Sequence, residues 1–394
     1  MILCRYDKGE HKMKAFQTFP SEVQVYQDRV SGATVRQLTG YLCHSFHTYF
    51  TNNGWWDKNR RLLFCSDRGN AANLFSIEIE SGEISRLTNF QPGDRTPVYF
   101  VNDINSRRDE VCYIRDRKLY VLDLATLESQ LLYEAPKGFL MSVGLWGADG
   151  RYVYVVLTED LSDRVYADLN ASYVGMQETF EAKPDCRIVR VDAEHGGSEV
   201  LWQENCWIGH ANPSPTRANL LTFCHEGPWN LVDQRMWVLD TDTGKAEMLR
   251  PRRIPEEQIG HEYWYQDGVR VGYQVHKPGA GSYFGVIDYD GQNEQEAPCV
   301  PFPSPDHIHS NDFRLIVSDS GNCIKLYRYN GTDFDEARVL CMHDGSFFYQ
   351  YHHPHPRFTA DGKQVLFNSN VSGYCNLYLA NVPEDVAALP KVEG

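Results

Sequence analysis

At 394 residues, 42% hydrophobic and 13% aromatic, the chain is too long for one ordinary core and calls for two domains or one repetitive architecture. Its formal charge of −15 argues against a nucleic-acid partner, and no run approaches the roughly 18 apolar residues of a membrane-spanning helix, so no membrane partner is expected. The 11 cysteines are scattered singly, several inside apolar runs such as Leu62-Leu63-Phe64-Cys65, and no Cys-x-x-Cys pair occurs. That pattern fits reduced, buried thiols in a cytoplasmic protein and excludes a thiolate zinc site.

In chain order, residues 1–12 mix charges with no readable period or signal-peptide core and are expected to be disordered. Gln24–Leu38 alternates like two strands and resembles the missing end of a blade. A unit then recurs at 61–88, 110–133, 152–201, 218–249, 269–290, 313–341 and 359–382: an apolar strand, a turn, a strand of the type Leu119-Tyr120-Val121-Leu122-Asp123, a Thr-Gly or Ser-Gly turn, and another strand. Seven units of roughly 40 to 50 residues predict an all-β, seven-bladed propeller formed by the whole chain, 1–394, as one domain. The approximate blade windows are 55–96, 97–141, 142–210, 211–262, 263–310, 311–356, and 357–386 completed by 24–39. Pairing both termini in one blade closes the ring and removes an exposed edge. The stretch Thr158–Asp185 departs from the repeat, with a short helix expected around Asn170–Glu181, and is a candidate lid or pocket wall.

The 14 histidines follow the same frame. His44 and His47 come after the first Leu38-Thr39-Gly40, and His210, His261, His309 and His355 follow at intervals of 51, 48 and 46 residues, close to one blade each. Residues at equivalent blade junctions converge on the propeller axis, so these imidazoles are expected to share a funnel. His353-Pro354-His355 is read as His-x-His on a strand, with both rings on one side. A histidine at a junction also caps turns in other propellers, and for any single one that role is equally expected. The set favours a divalent metal, since imidazoles with a carboxamide or carboxylate suit Mn, Fe, Ni or Zn. The reaction stays open on these residues alone.

Several segments resemble the oligogalacturonate lyases. They are Cys43-His44 with Tyr49-Phe50, Lys183-Pro184 with Cys186-Arg187, Trp207-Ile208-Gly209-His210, Phe223-Cys224-His225-Glu226-Gly227-Pro228, Asp233 with Arg235-Met236-Trp237, His261-Glu262 with Trp264, His307 with Ser310-Asn311, and Gln350 with His353-Pro354-His355-Pro356. The ordered set spans nearly the whole chain. The resemblance implies a cytoplasmic enzyme, monomeric or homodimeric, that splits short oligogalacturonides such as digalacturonate to 5-dehydro-4-deoxy-D-glucuronate by β-elimination. It implies manganese held by His307, Gln350, His353 and His355, with His261 as base and Arg235 at the substrate carboxylate. His44, His210, His225 and Lys183 are expected to touch the sugar acid, Lys183 together with Arg187 at the next uronate, where a solvated charge is the alternative for both. His309 and His352 are extra histidines that could augment or shift the ligand set.

These residue types suit the chemistry. Elimination removes the C5 proton beside a carboxylate, and a divalent cation on that carboxylate spreads the developing charge. An arginine adds a bidentate contact, although Arg235 could instead pair with Asp233 or Glu226 within its blade. A histidine with an ordinary pKa near ~6.5 is mostly neutral at neutral pH and so can accept the proton. His210, His225, Tyr263 or water could protonate the leaving oxygen. The competing readings are a non-catalytic scaffold propeller, which needs no histidine cluster, and a metal-dependent hydrolase, which gives saturated products.

Overall fold

The computed structural model describes residues 15–93, 102–170, 173–299 and 307–392. The segment 1–12 lies outside them. Seven antiparallel sheets make a seven-bladed β-propeller, and its one α-helix among the described residues, Met176–Ala182, is too short to cross a membrane.

Each blade is built outward from an innermost strand. In blades three to six these strands are Phe139–Trp146, Ile208–Pro213, Gln258–Trp264 and Ile308–His309. Blade two begins at Asn102–Ile104 and blade seven at Arg357–Phe358. Blade one begins at Ser45–His47, ahead of the window at 55, because only three residues pair there and leave too short a run for a periodic signal. The windows of blades four to six also open several residues late. A cyclic repeat can be cut at any phase, and the cut chosen from sequence put His210, His261 and His309 at blade ends, whereas the strands put them at blade beginnings.

The ring closes between the termini. Thr34–Gln37 pairs with Asn376–Asn381, in the register Val35 to Ala380 and Arg36 to Leu379, and Gln24–Gln27 forms the outer edge. A further strand, Gln17–Phe19, covers Ile84–Arg86 on the outside of blade one.

Alternating apolar residues on both faces of the blades fill the spaces between neighbours. Leu62, Phe64, Phe75 and Ile77 of blade one meet Leu366, Leu377 and Leu379 of blade seven. Tyr154, Val156 and Ile188 of blade three meet Leu221, Phe223 and Leu239 of blade four. Each such side chain stabilises the ring by about 1.5–3 kcal/mol through burial. The ten described cysteines are free, and all but Cys206 are buried.

Candidate metal centre and catalytic funnel

Blades four and five carry the same device on their innermost strands. The register slips between Gly209 and Asn212 in one and between Gly260 and Tyr263 in the other. His210 and His261 stand at these bulges with φ of 46° and 52°. A non-glycine residue in the left-handed region is strained by about 1–3 kcal/mol and persists only where the surroundings hold it. The bulge turns each ring out of the pleat towards the axis. Gly260 is required by close approach: a Cβ there would lie 2.3 Å from the Trp229 indole. That indole meets the His261 ring edge-on at 5.0 Å and carries the Arg235 guanidinium 5.2 Å above its ring. Trp229 therefore spaces the two residues.

Three histidines converge beside His261. His307, His353 and His355 each offer a ring nitrogen, and those atoms lie within 4.8 Å of one another. The convergence does not come from a strand pleat. His353 follows the short 3-10 turn Gln350–His352, and His355 sits at φ 46°, so the chain folds both rings inward around Pro354. His307 and His309, also two apart, diverge: His307 faces the funnel, while His309 accepts the Phe358 amide at its Nδ1 and stacks on Tyr263.

Asp319 orients the group. It is buried, its Oδ2 lies 3.1 Å from His307 Nδ1, and it accepts the backbone N–H groups of both His307 and His355. A carboxylate on one ring nitrogen sets the tautomer that frees the other for a cation. Burial by itself raises the Asp319 pKa, but the facing His307 outweighs it and keeps the carboxylate ionised. Burial, then His307, pushes His353 down to about 4, and burial pushes His355 well below its ordinary value. Neutral imidazoles are what a cation needs. The Nδ1 of His353 is buried without a hydrogen-bond partner, an arrangement a bound cation would satisfy. The donor set thus fits a borderline divalent ion. Gln350 lines the same cavity; its amide nitrogen donates to the Tyr173 hydroxyl at 2.5 Å and its backbone N–H to Asn170, so a ligand role would use Oε1. Asn170 and Tyr173 belong to the expected insertion, which walls the funnel as anticipated, with its helix starting at Met176.

His261 lies with its ring 4.6 Å from that of His307, and its Nδ1 is 2.7 Å from the side-chain amide of the buried Gln274. Arg235 is buried between two carboxylates, Glu226 at 3.0 Å and Glu262 at 3.2 Å, and still lines the funnel. Glu226 also faces His210 at 3.3 Å; burial raises its pKa, but Arg235 and His210 prevail and hold it well below the usual range. The pairing of Arg235 with Glu226 is thus present, together with a second partner that sequence reasoning missed.

Of the four expected sugar contacts, only His210 lines the funnel. His225 is turned away onto Glu204 at 3.0 Å and packs on Trp237, because residues alternate sides along Leu220–His225. His44 accepts the Cys375 amide and lies against Phe46 and His352. Lys183 is exposed in a left-handed cap after the helix, and Arg187 is paired with Asp185. His352 stays outside the converging three, against His44 and Asn370. Tyr263 hydrogen-bonds Ser310 and faces another cavity, which removes it as proton donor to the leaving oxygen. Asp319, Gln274, Trp229 and Tyr173 were not found from sequence, because the role of each depends on where the ring brings it.

The family model for oligogalacturonate lyase matches residues 13–337. An oligogalacturonide lyase of Pectobacterium atrosepticum is 31% identical over 392 residues, covering 93% of this chain and 98% of that protein. An oligogalacturonate lyase of Dickeya dadantii is 30% identical, covering 92% and 96%. Among solved structures, an oligogalacturonate lyase in complex with manganese superposes with a TM-score of 0.82 at 28% identity, over 95% of this chain and all of that one. One from Vibrio parahaemolyticus gives 0.83 at 25% identity, over the same shares.

Proposed function

The chain belongs to the oligogalacturonate lyase family, and from that membership we propose that it cleaves short oligogalacturonides, digalacturonate included, by metal-assisted β-elimination with His261 as base. The observation that carries this reading is the 4.6 Å approach of His261 to His307, one of the three converging histidines. It sets a proton acceptor beside the place where a cation would hold the uronate carboxylate.

His307, His353 and His355, with Gln350 Oε1, would hold the divalent ion, manganese by preference. When bound, that ion polarises the substrate carboxylate and so acidifies the neighbouring C5–H. Neutral His261 takes the C5 proton at Nε2 in the tautomer whose Nδ1–H donates to the Gln274 side chain, and this needs the amide turned so that its oxygen, otherwise buried without a partner, faces Nδ1. The electron pair forms the C4–C5 double bond and the glycosidic oxygen leaves C4. Arg235 faces the same cavity, its position held by Glu226, Glu262 and Trp229, and meets the anionic end of the sugar. His210, in reach of Glu226, contacts the substrate from the blade-four side. The chain thereby makes galacturonate and the 4-deoxy-5-keto uronate.

The test is to incubate the protein with digalacturonate and manganese and weigh the products. An elimination gives one product lighter than galacturonate by one water. Two galacturonates would make it a hydrolase, and intact substrate under every metal tried would reduce the funnel to a binding site.

A further inference from the structure

A second cavity, of about 260 Å³, lies at the other ends of the innermost strands, with walls from all seven blades. It backs onto the funnel through Thr51, Leu145 and Asn212, which line both. The elimination uses none of its remaining residues.

Its chemistry centres on Arg357, at the start of blade seven's innermost strand. One guanidinium N–H goes to the Asn52 carbonyl, and the others have no protein acceptor among the described residues. No carboxylate among them lies within salt-bridge distance. Asp103, the nearest influence of opposite sign, has its oxygens committed to the backbone N–H groups of Asn53 at 2.6 Å and Trp146 at 2.9 Å. A guanidinium left so is costly unless an anion completes its fork.

The surrounding walls suit a sugar. Trp55, Trp146 and Trp264 give the lining apolar surface of the kind that meets the C–H groups of a pyranose, while the amide nitrogens of Gln266 and Asn311 are taken by Asn311 Oδ1 and by the Thr359 and Ala360 carbonyls, which leaves Gln266 Oε1 to accept from a hydroxyl. The volume is smaller than the funnel's, about 370 Å³, and so favours one ring over two.

We propose that this cavity is a second binding site, for a monomeric sugar carboxylate held through its carboxylate by Arg357. The choice of a uronate as probe rests on the reading of the funnel above; the site itself rests on Arg357 and its walls.

Titration calorimetry of the full chain with D-galacturonate, alongside D-galactose, tests it. Arg357→Gln should bind one fewer galacturonate than the natural protein, and galactose should leave no signal at this site. Gln266→Glu keeps Arg357 and adds a negative charge to the cavity; it should weaken the same site at least tenfold while digalacturonate cleavage with manganese stays normal. This second variant keeps the test decisive where Arg357→Gln fails to fold. Unchanged stoichiometry in a folded Arg357→Gln, unchanged affinity in Gln266→Glu, or equal binding of galactose would overturn the proposal. So would displacement by chloride or acetate at equal affinity, which would mean an adventitious ion only. Cleavage is read separately by product mass, so a failed lyase reading leaves the Arg357-dependent titration intact, and the reverse.

Discussion

His261 and His353 both stand beside His307, their ring centroids 4.6 and 5.4 Å from its own, and substitution separates their roles. His261→Ala should lower turnover of digalacturonate by about 10²-fold to 10⁴-fold or more, the scale of a general base, with metal content by mass spectrometry unchanged. His353→Ala should deplete the metal, because it removes one of three converging nitrogens. Loss of metal in the first variant, or full retention in the second, would exchange the assignments. Asp319→Asn keeps the shape of the carboxylate that orients His307 and removes its charge; metal affinity should fall by about 10-fold to 100-fold. The histidines were legible in the sequence because the residue is rare and recurred at blade-length intervals from His210 to His355. Asp319 was not, since an aspartate after Leu315-Ile316-Val317-Ser318 has no mark until the ring brings it under His307 and His355.

At the level of elements, two features shape the funnel: the repeated bulge and the insertion of blade three. In Gly260→Ala the new methyl would drive Trp229 from its seat between Arg235 and His261. Turnover should fall at least tenfold while metal content holds, and a variant with unaltered turnover would deny Trp229 its spacing role. The insertion was visible as a break in strand pattern, and its helix lies within the expected stretch. Which residue it delivers was not visible, because Tyr173 meets Gln350 across 177 positions of sequence. The two His-x-His segments carry the same lesson. Period-2 reasoning assumed regular strands, yet a left-handed residue at His355 joins its pair and the end of strand pairing at His309 splits the other.

For the whole molecule, closure and acid stability are the accessible tests. Val35 is fully buried in the closing seam opposite Ala380, so Val35→Asp should destabilise the ring by several kcal/mol, read as a fall in melting temperature. Acid acts through buried histidines. Burial holds His47 and His343 at about 4, against about 6.5 in the unfolded chain. Between these values the unfolded chain takes up protons that the folded one refuses. Stability is therefore whole above pH 6.5 and is lost as pH falls towards 4, by up to about 3 kcal/mol for each residue. Denaturation midpoints of chelator-treated protein between pH 7 and 4 should decline accordingly; a flat profile would show that these rings titrate normally.

The repeat of strands and turns determined the propeller by itself, because a two-residue alternation broken by Gly, Asn and Asp turns is local chemistry that any seven copies must resolve by stacking. It also determined that histidines would gather at the axis, since equivalent positions of a ring meet there. Only the tertiary structure decided which of them converge on one another and which cap a strand. That choice turns on single-residue bulges and left-handed turns, which rotate a side chain by half a pleat and leave no periodic trace. It also decided that Arg235 enters the funnel already held by two glutamates, and that His44, His225 and Lys183 do not enter it at all.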